Sequence, residues 1–443
     1  MNWQEYFKDK KITLMGLGLL GRGIGVARFL AENGSILTVT DLKSETELAP
    51  ALVELKDFSN IKYVLGGHNL EDFQTADLII RAANVPLDSI YLAEAQRNNI
   101  PVKMDASLFC ELLPDGVKTV GITGTRGKST VTTLIYEILK ESGQTVFLGG
   151  NIRGVATLPL LREVKSGDTV VLELDSWQLQ GFGDDHISPQ TAVFTTFMND
   201  HMNYYKGDMD RYLSDKANIF LYQNSDDYLI LGGQVADVIS SKFGTAIKSK
   251  IIVAASDIPS DFSIKMVGQH NRYNASLALN TARVLNISDE ISKKVIAEFP
   301  GVEGRLEILG TKNDILFVND NNATTPEAAI AAVKSFPDHK GKIVLIGGGT
   351  DKVLDFTEYC QIIPDYVKSL ILFTGTATDK IVELLPKDMA VTIVSSMAEA
   401  WQNALKQAEA GDLIMLSPGA ASFGVFNNEY ERNDQFLGLF NEI

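Results

Sequence analysis

Short runs of β-branched and aliphatic residues break off repeatedly along this chain at a glycine or a polar turn, and a helical pattern takes over. "KITLMGLG" passes into "GIGVARFLAENG" and on through "SILTVTD" and "ADLIIRAAN", while "KTVGITGT" passes into "KSTVTTLIYEILKESG" and on through "DTVVLELD" and "TAVFTTFMND". The alternation resumes late, in "ILFVNDNNATT", "KIVLIGGGTDK", "SLILFTGTATDK" and "DLIMLSPGAAS". Parallel strands need a crossover connection, usually a helix, so this order predicts βαβ units and an α/β fold with mostly parallel sheets. It also predicts where chemistry sits, because open α/β sheets bind ligands at the carboxyl ends of their strands.

The 443 residues exceed one ordinary core, and at roughly 150 residues per domain they should form about three. Turn-rich passages near residue 107, before "LFCELLPDGVK", and near residue 302, around "EFPGVEG", divide the chain into 1–106, 107–302 and 303–443. With 45% hydrophobic residues there is apolar material for several cores. The formal charge of −16 disfavours a phosphate backbone or an anionic membrane as partner. Cys110 and Cys360 are too few and too far apart for a disulfide framework or a cysteine-rich metal site, which suits a reducing compartment. The polar start "MNWQEYFKDK" lacks a signal-peptide pattern, so a cytoplasmic protein is expected.

The sharpest motif is "GITGTRGKST", residues 121–130, in a strand-to-helix setting where backbone N–H groups and the helix dipole attract phosphate. Gly121 stands one place too early for G-x-x-x-x-G-K-[ST], so a variant loop is expected, built from Gly124, Thr125, Arg126, Gly127, Lys128, Ser129 and Thr130. Lys128 would meet the outer phosphates and Ser129 could ligate magnesium. Gly16, Gly18 and Gly21 match G-x-G-x-x-G, with Asp41 ending the next strand. That pattern serves a dinucleotide, a nucleotide-sugar, or merely close strand–helix packing.

Glu173 and Asp175, in "VVLELDSWQL", end a strand where a carboxylate can face a phosphate-bound magnesium, or can simply begin a helix. With five histidines in the chain, His201 has no obvious zinc partners, and Lys216 reads by residue type as a solvated helix lysine. Asn271 and Asn274 lie at i, i+3 near a helix start and could face one polar ligand, unless Asn271 caps the helix. Arg305, Asp320 and the small-residue turn "LSPGAASFGVF" are ambiguous singly.

Taken in order, "GLGLLGRG", "TGTRGKST", "GGNIRG", "ELDSWQL", "NDHMNYY", "DKANI", "GQHNRYN", "EGRLE", "NDNNATT", "GGGTDK" and "LSPGAASF" resemble the Mur ligases of peptidoglycan synthesis over essentially the whole chain. The resemblance implies an N-terminal Rossmann-like domain for a UDP-linked precursor, a central P-loop-type ATPase domain and a C-terminal Rossmann-like domain for an amino acid. It implies ATP and two magnesium ions as cofactors, small-molecule substrates and a monomer. Likeness is strongest to members that add D-glutamate to UDP-N-acetylmuramoyl-L-alanine through an acyl phosphate.

By the same resemblance, Lys128 contacts the phosphates, Ser129 and Glu173 hold one magnesium, and His201 with a carbamylated Lys216 hold another. Asn271 and Asn274 meet the adenine side, and Arg305 and Asp320 the ribose and phosphates. Gly18, Leu19, Leu20, Asp41 and Asn151 face the UDP-precursor, and Thr324, Lys352, Ser422 and Phe423 the amino acid.

Departures from the family pattern cluster at the amino-acid end. Asn321 and Asn322 replace a serine–lysine pair, removing a cation, and Glu429 replaces a phenylalanine. Asp175 stands where serine is usual and Asn84 where glycine is usual. A dicarboxylic amino acid therefore meets a less cationic pocket, and a ligase for another amino acid, such as L-glutamate, is the alternative. A nicotinamide-dependent dehydrogenase would use the first glycine motif and Asp41 but leaves the second loop unexplained.

Overall fold

The computed structural model describes residues 3–443 apart from Leu20, Asn84 and Leu87. Leu20, expected to face a nucleotide, and Asn84, a departure from the family loop, thus lie outside the described residues.

Among the described residues, seventeen strands form three sheets. The first comprises β1 (Lys11–Met15), β2 (Ile36–Asp41), β3 (Ile61–Leu65), β4 (Leu78–Arg81) and β5 (Val102–Lys103), in the order β3-β2-β1-β4-β5. The second comprises β6 (Lys118–Thr123), β7 (Val146–Gly150), β8 (Thr169–Glu173), β9 (Thr191–Phe194), β10 (Tyr228–Gly232) and β11 (Lys250–Ala254), in the order β11-β10-β9-β6-β8-β7. The third comprises β12 (Glu307–Lys312), β13 (Ile315–Asn319), β14 (Ile343–Gly348), β15 (Val367–Phe373), β16 (Val391–Val394) and β17 (Leu413–Leu416), in the order β12-β13-β17-β14-β15-β16.

The expected α/β class and parallel pairing hold. Every residue of β8 and of β14 is buried, as strands covered by helices on both faces must be. The exception is β12, which pairs antiparallel with β13 through a two-residue turn at Asn313 and Asp314, both with positive φ. Left-handed conformations at both turn positions match the right-handed twist of the strands, and asparagine and aspartate tolerate them best after glycine.

The chain divides into two compact units, residues 1–258 with 273–295, and residues 259–272 with 296–443. The first unit carries the first two sheets over one shared core. The helix Asp105–Glu111 buries Leu108 and Phe109 in that core, so the expected boundary near residue 107 falls inside a packed helix rather than in a turn. The second unit carries the third sheet, whose two faces have separate cores, one around Leu345, Leu370 and Met415, the other around Phe317, Ile346 and Trp401. Among the described residues no helix is long and apolar enough to cross a membrane.

Candidate active site

Register puts the central loop and a carboxylate on one edge. β6 pairs with β8 so that Ile122 lies level with Glu173, and β7 pairs with β8 so that Gly150 does too. Gly121, whose position spoiled the motif, lies inside β6 and not in the loop. A Cβ there would lie 2.4 Å from the Pro189 ring, so glycine is required for packing. The loop proper runs from Gly124 to Lys128. Gly124 has φ +140°, and a Cβ on it would lie 2.0 Å from Thr195 Oγ1. Gly127, at φ +87°, precedes the helix Lys128–Glu141 and supplies no side-chain cap, so the loop meets the positive end of that helix's dipole.

The loop is braced from β9 onward. Thr125 N–H donates to the Thr196 carbonyl at 2.7 Å, Arg126 N–H to Thr196 Oγ1 at 2.9 Å, and the Arg126 guanidinium to Asp200 at 3.1 Å. Asn274, in the helix Gln269–Val284, abuts the loop from the other side, since a Cβ on Gly127 would lie 2.4 Å from its Oδ1. Ser129 is half-buried in the first helical turn and Thr130 is buried.

Lys216, expected on a solvated face, is buried at 1% exposure in the helix Met209–Ala217. Its Nζ donates to the Gly124 carbonyl at 2.9 Å, and Lys128 Nζ donates to the same carbonyl at 3.0 Å and to the Thr125 carbonyl at 3.3 Å. Burial, reinforced by Lys128, drives the Lys216 amine well below its ordinary value. His201, at φ +57°, packs at a tilt against Trp177 with ring centres 4.7 Å apart and meets Tyr212 edge-on at 6.0 Å, while Lys216 Nζ lies 4.9 Å from the same Tyr212 ring. Burial lowers the imidazole's proton affinity, with Asp200 opposing and the two lysines reinforcing the shift. Glu173 is 3% exposed, and among the described residues no hydrogen-bond donor reaches its carboxylate.

Asp175 is spoken for: it caps the helix Ser176–Asp184 in a capping box with Gln178. The reading of a carboxylate facing a metal therefore passes to Glu173 alone.

The first glycine loop lies on the same unit. Asp41 accepts the N–H groups of Leu17 at 2.8 Å, Gly18 at 3.1 Å and Lys43 at 2.9 Å, so most of its lone pairs go to shaping the loop rather than to a ribose. Leu19 is exposed. The segment after β7 packs on this loop and on the helix that follows it, with a Cβ on Gly21 falling 3.4 Å from the Gly154 Cα and one on Gly25 2.6 Å from the Ala156 Cβ. Asn151 opens that segment and donates its N–H to the Glu173 carbonyl at 2.7 Å, which ties the segment to the end of β8. A buried network runs alongside. Arg81, ending β4, donates to Gln180 Oε1 at 3.1 Å, Gln180 donates to Asp215 at 2.8 Å, and Tyr205 donates to Asp215 at 3.0 Å.

In the second unit, Asn271 does not cap its helix. Its Nδ2 donates back to the Val267 carbonyl at 2.8 Å. Register brings Asn319, Ile346 and Leu416 level, so the turns after β13, β14 and β17 share one edge. There Lys352 Nζ reaches Thr324 Oγ1 at 3.3 Å, and Thr350 bridges Ala421 beside buried Ser422 and exposed Phe423. Asn322 is partly exposed and donates to the Glu303 carbonyl at 3.3 Å. Asn321 turns inward to Arg432, among the described residues the bulkiest side chain that is fully buried and one that composition gave no reason to select.

Asp320 is buried beside half-buried Arg305, accepting the Leu306 N–H at 3.0 Å and the Ser417 hydroxyl at 2.8 Å. Burial pushes its carboxyl up to about 7, against those two hydrogen bonds. A folded-state value above the unfolded one means the native state holds a proton that the unfolded chain has shed. This group's contribution to stability therefore falls as pH rises from about 4 to about 7. Asp320→Asn should remove that component, so that urea midpoints of wild type and variant diverge steadily across this range to the disadvantage of wild type. Parallel profiles would show that the carboxyl is ionised throughout.

A parallel sheet with a phosphate loop, a buried carboxylate and two lysines defines a nucleotide-dependent enzyme, and family comparison says which class. Residues 10–103 match the Mur ligase MurD-like N-terminal domain, 122–243 the Mur ligase middle domain, and 304–419 the Mur ligase glutamate ligase domain. The chain belongs to the Mur ligase family. It is 36% identical to a UDP-N-acetylmuramoylalanine–D-glutamate ligase of Borreliella burgdorferi, with 99% of each chain covered. It is 33% identical to the enzyme of that name from a Roseiflexus species, over 96% of this chain and 97% of the other. In fold it is similar to the UDP-N-acetylmuramate–alanine ligase of Thermotoga maritima, at TM-score 0.64 and 18% identity, over 98% of this chain and 99% of that one.

Proposed function

We propose that this chain is an ATP-dependent ligase that joins D-glutamate to UDP-N-acetylmuramoyl-L-alanine in cytoplasmic peptidoglycan-precursor synthesis, releasing ADP and phosphate, and that it works as a monomer. The observation that carries the reading is the loop itself: two lysines on the Gly124 carbonyl at the mouth of a helix, on the strand edge that carries Glu173. Full-length likeness to relatives named for this reaction supports the choice of substrates. Three functional parts follow, 1–106 for the UDP-precursor, 107–302 for ATP and 303–443 for the amino acid.

A carboxylate resists attack by an amine because its oxygens are charged and neither can leave. Attack of one carboxylate oxygen on the γ-phosphorus of ATP expels ADP and makes that oxygen part of a phosphate leaving group. The amino nitrogen then adds to the acyl carbon, loses a proton, and the tetrahedral intermediate collapses with phosphate departing. Charge accumulates on phosphate oxygens and then on the acyl oxygen, and fixed cations and N–H groups offset it. Gly124, Thr125, Arg126, Gly127, Lys128, Ser129 and Thr130 supply those groups for the phosphates. Asn271, Asn274, Arg305 and Asp320 serve the rest of ATP. Gly18, Leu19, Leu20, Asp41 and Asn151 serve the precursor, Asp41 through the loop it shapes. Thr324, Lys352, Ser422 and Phe423 serve the amino acid.

Among the described residues no three His, Cys, Asp or Glu side chains converge as a ready-made metal site. The donor set nonetheless fits magnesium held partly by phosphate: the buried Glu173 carboxylate, which no donor among the described residues reaches, the Ser129 hydroxyl, and a His201 imidazole whose proton affinity burial lowers. Bound magnesium would neutralise phosphate charge during transfer. Lys216 joins this set as a carbamate.

The experiment is phosphate release from ATP with UDP-N-acetylmuramoyl-L-alanine, offering D-glutamate, L-glutamate, D-lysine and other amino acids singly. Turnover confined to D-glutamate is expected. Turnover with a different amino acid would transfer the reading to the alternative that Asn322 and Glu429 favour, and none with any would overturn it.

A further inference from the structure

Arg432 has no exposed surface and, among the described residues, no carboxylate hydrogen-bonded to its guanidinium. Its Nε donates to Asn321 Oδ1 at 2.7 Å, one terminal nitrogen to the Asn321 carbonyl at 2.9 Å and the other to the Ala420 carbonyl at 3.4 Å. Asn321 in turn donates to the Glu429 carbonyl at 2.9 Å, at the start of the helix Glu429–Glu442. One planar cation therefore ties together the turn after β13, the turn after β17 and the last helix. Thr324 lies three residues beyond Asn321, and Ser422 two residues beyond Ala420. A buried charge satisfied only by neutral acceptors keeps most of its field, and apolar residues of similar size would make a cheaper clamp. Glu429, half-buried on the same helix, is the acidic group that opposes it.

We infer that Arg432, acting through Asn321 and Ala420, is the positioning residue that sets the amino-acid pocket and its preference for an anionic side chain. It stands in for the cation that Asn322 lacks. The inference rests on the amino-acid role proposed for Thr324, Lys352 and Ser422.

The test compares wild type, Arg432→Met, Arg432→Lys and Asn321→Asp, reading KM and kcat for D-glutamate, the ratio of kcat/KM for D-glutamate over D-glutamine, KM for ATP, and melting temperature. Arg432→Met should raise KM for D-glutamate about tenfold or more and lower the ratio by a similar factor, with KM for ATP unchanged. Arg432→Lys should recover most of the ratio. Asn321→Asp neutralises the guanidinium while holding it by an ion pair, so it should fold and still lose preference, which keeps the question open to test if Arg432→Met does not fold. An unchanged ratio in Asn321→Asp, or parallel losses for ATP and D-glutamate with a lowered melting temperature, would reduce Arg432 to a structural clamp. Wild-type turnover with D-glutamate tests the proposed function separately, because it does not depend on any variant.

Discussion

Lys128→Ala is expected to abolish ligation while the protein stays folded. The ammonium sits on the Gly124 and Thr125 carbonyls of its own loop, so its removal takes away the cation that the proposed function assigns to the phosphates without opening a core. Losing one preorganised donor at a centre of developing charge costs on the order of 10² to 10³ in rate, about 3–4 kcal/mol, and a full positive charge sits at the upper end. Thermal stability should change little, since the residue is only partly buried. Phosphate release per enzyme under saturating substrates is the measurement. A variant retaining a tenth of wild-type turnover, or more, would remove the loop from the chemistry.

Lys216→Ala should be equally inactive, for a different reason, and its activity should return in part with added formate or acetate. Two ammonium groups donating to one carbonyl repel each other, and burial penalises the charge of the more enclosed one. An uncharged amine is the form that adds carbon dioxide, giving a carbamate and releasing a proton. That product would present anionic oxygens to a hard cation, and a small carboxylate entering the space left by alanine would supply the same kind of oxygen. Turnover of the variant against carboxylate concentration is the first readout, and the carbonyl-13 signal of wild type equilibrated with labelled bicarbonate is the second. Absence of both would leave Lys216 as an amine that only braces the Gly124 carbonyl.

The alternation of strand, glycine turn and helix was legible because parallel strands buried on both faces are written as continuous apolar runs. β12 was not, since a half-exposed edge strand such as "EILGTK" lacks that run and depends on the Asn313–Asp314 turn for its partner. Gly121 shows the limit of motif spacing: residue type looked like a loop glycine, but its contact with Pro189 is long-range and invisible in sequence. Lys216 shows the limit of residue-type expectation, because only the fold places it behind Tyr212 and the Gly124 carbonyl. Arg432 escaped notice for the same reason. The departure at Asn321, by contrast, was visible, and the structure explains it as half of a buried pair.

The chain Arg81–Gln180–Asp215 bears on how freely parts of this enzyme could be exchanged. Arg81 belongs to the first sheet, Gln180 and Asp215 flank the second, and Asp215 adjoins Lys216 in sequence. A front sheet grafted from another protein would leave Gln180 facing a residue chosen for a different neighbour, and the lysine-bearing helix would lose a support it cannot replace alone. The two sheets are a matched set, and a working chimera must carry all three residues across together.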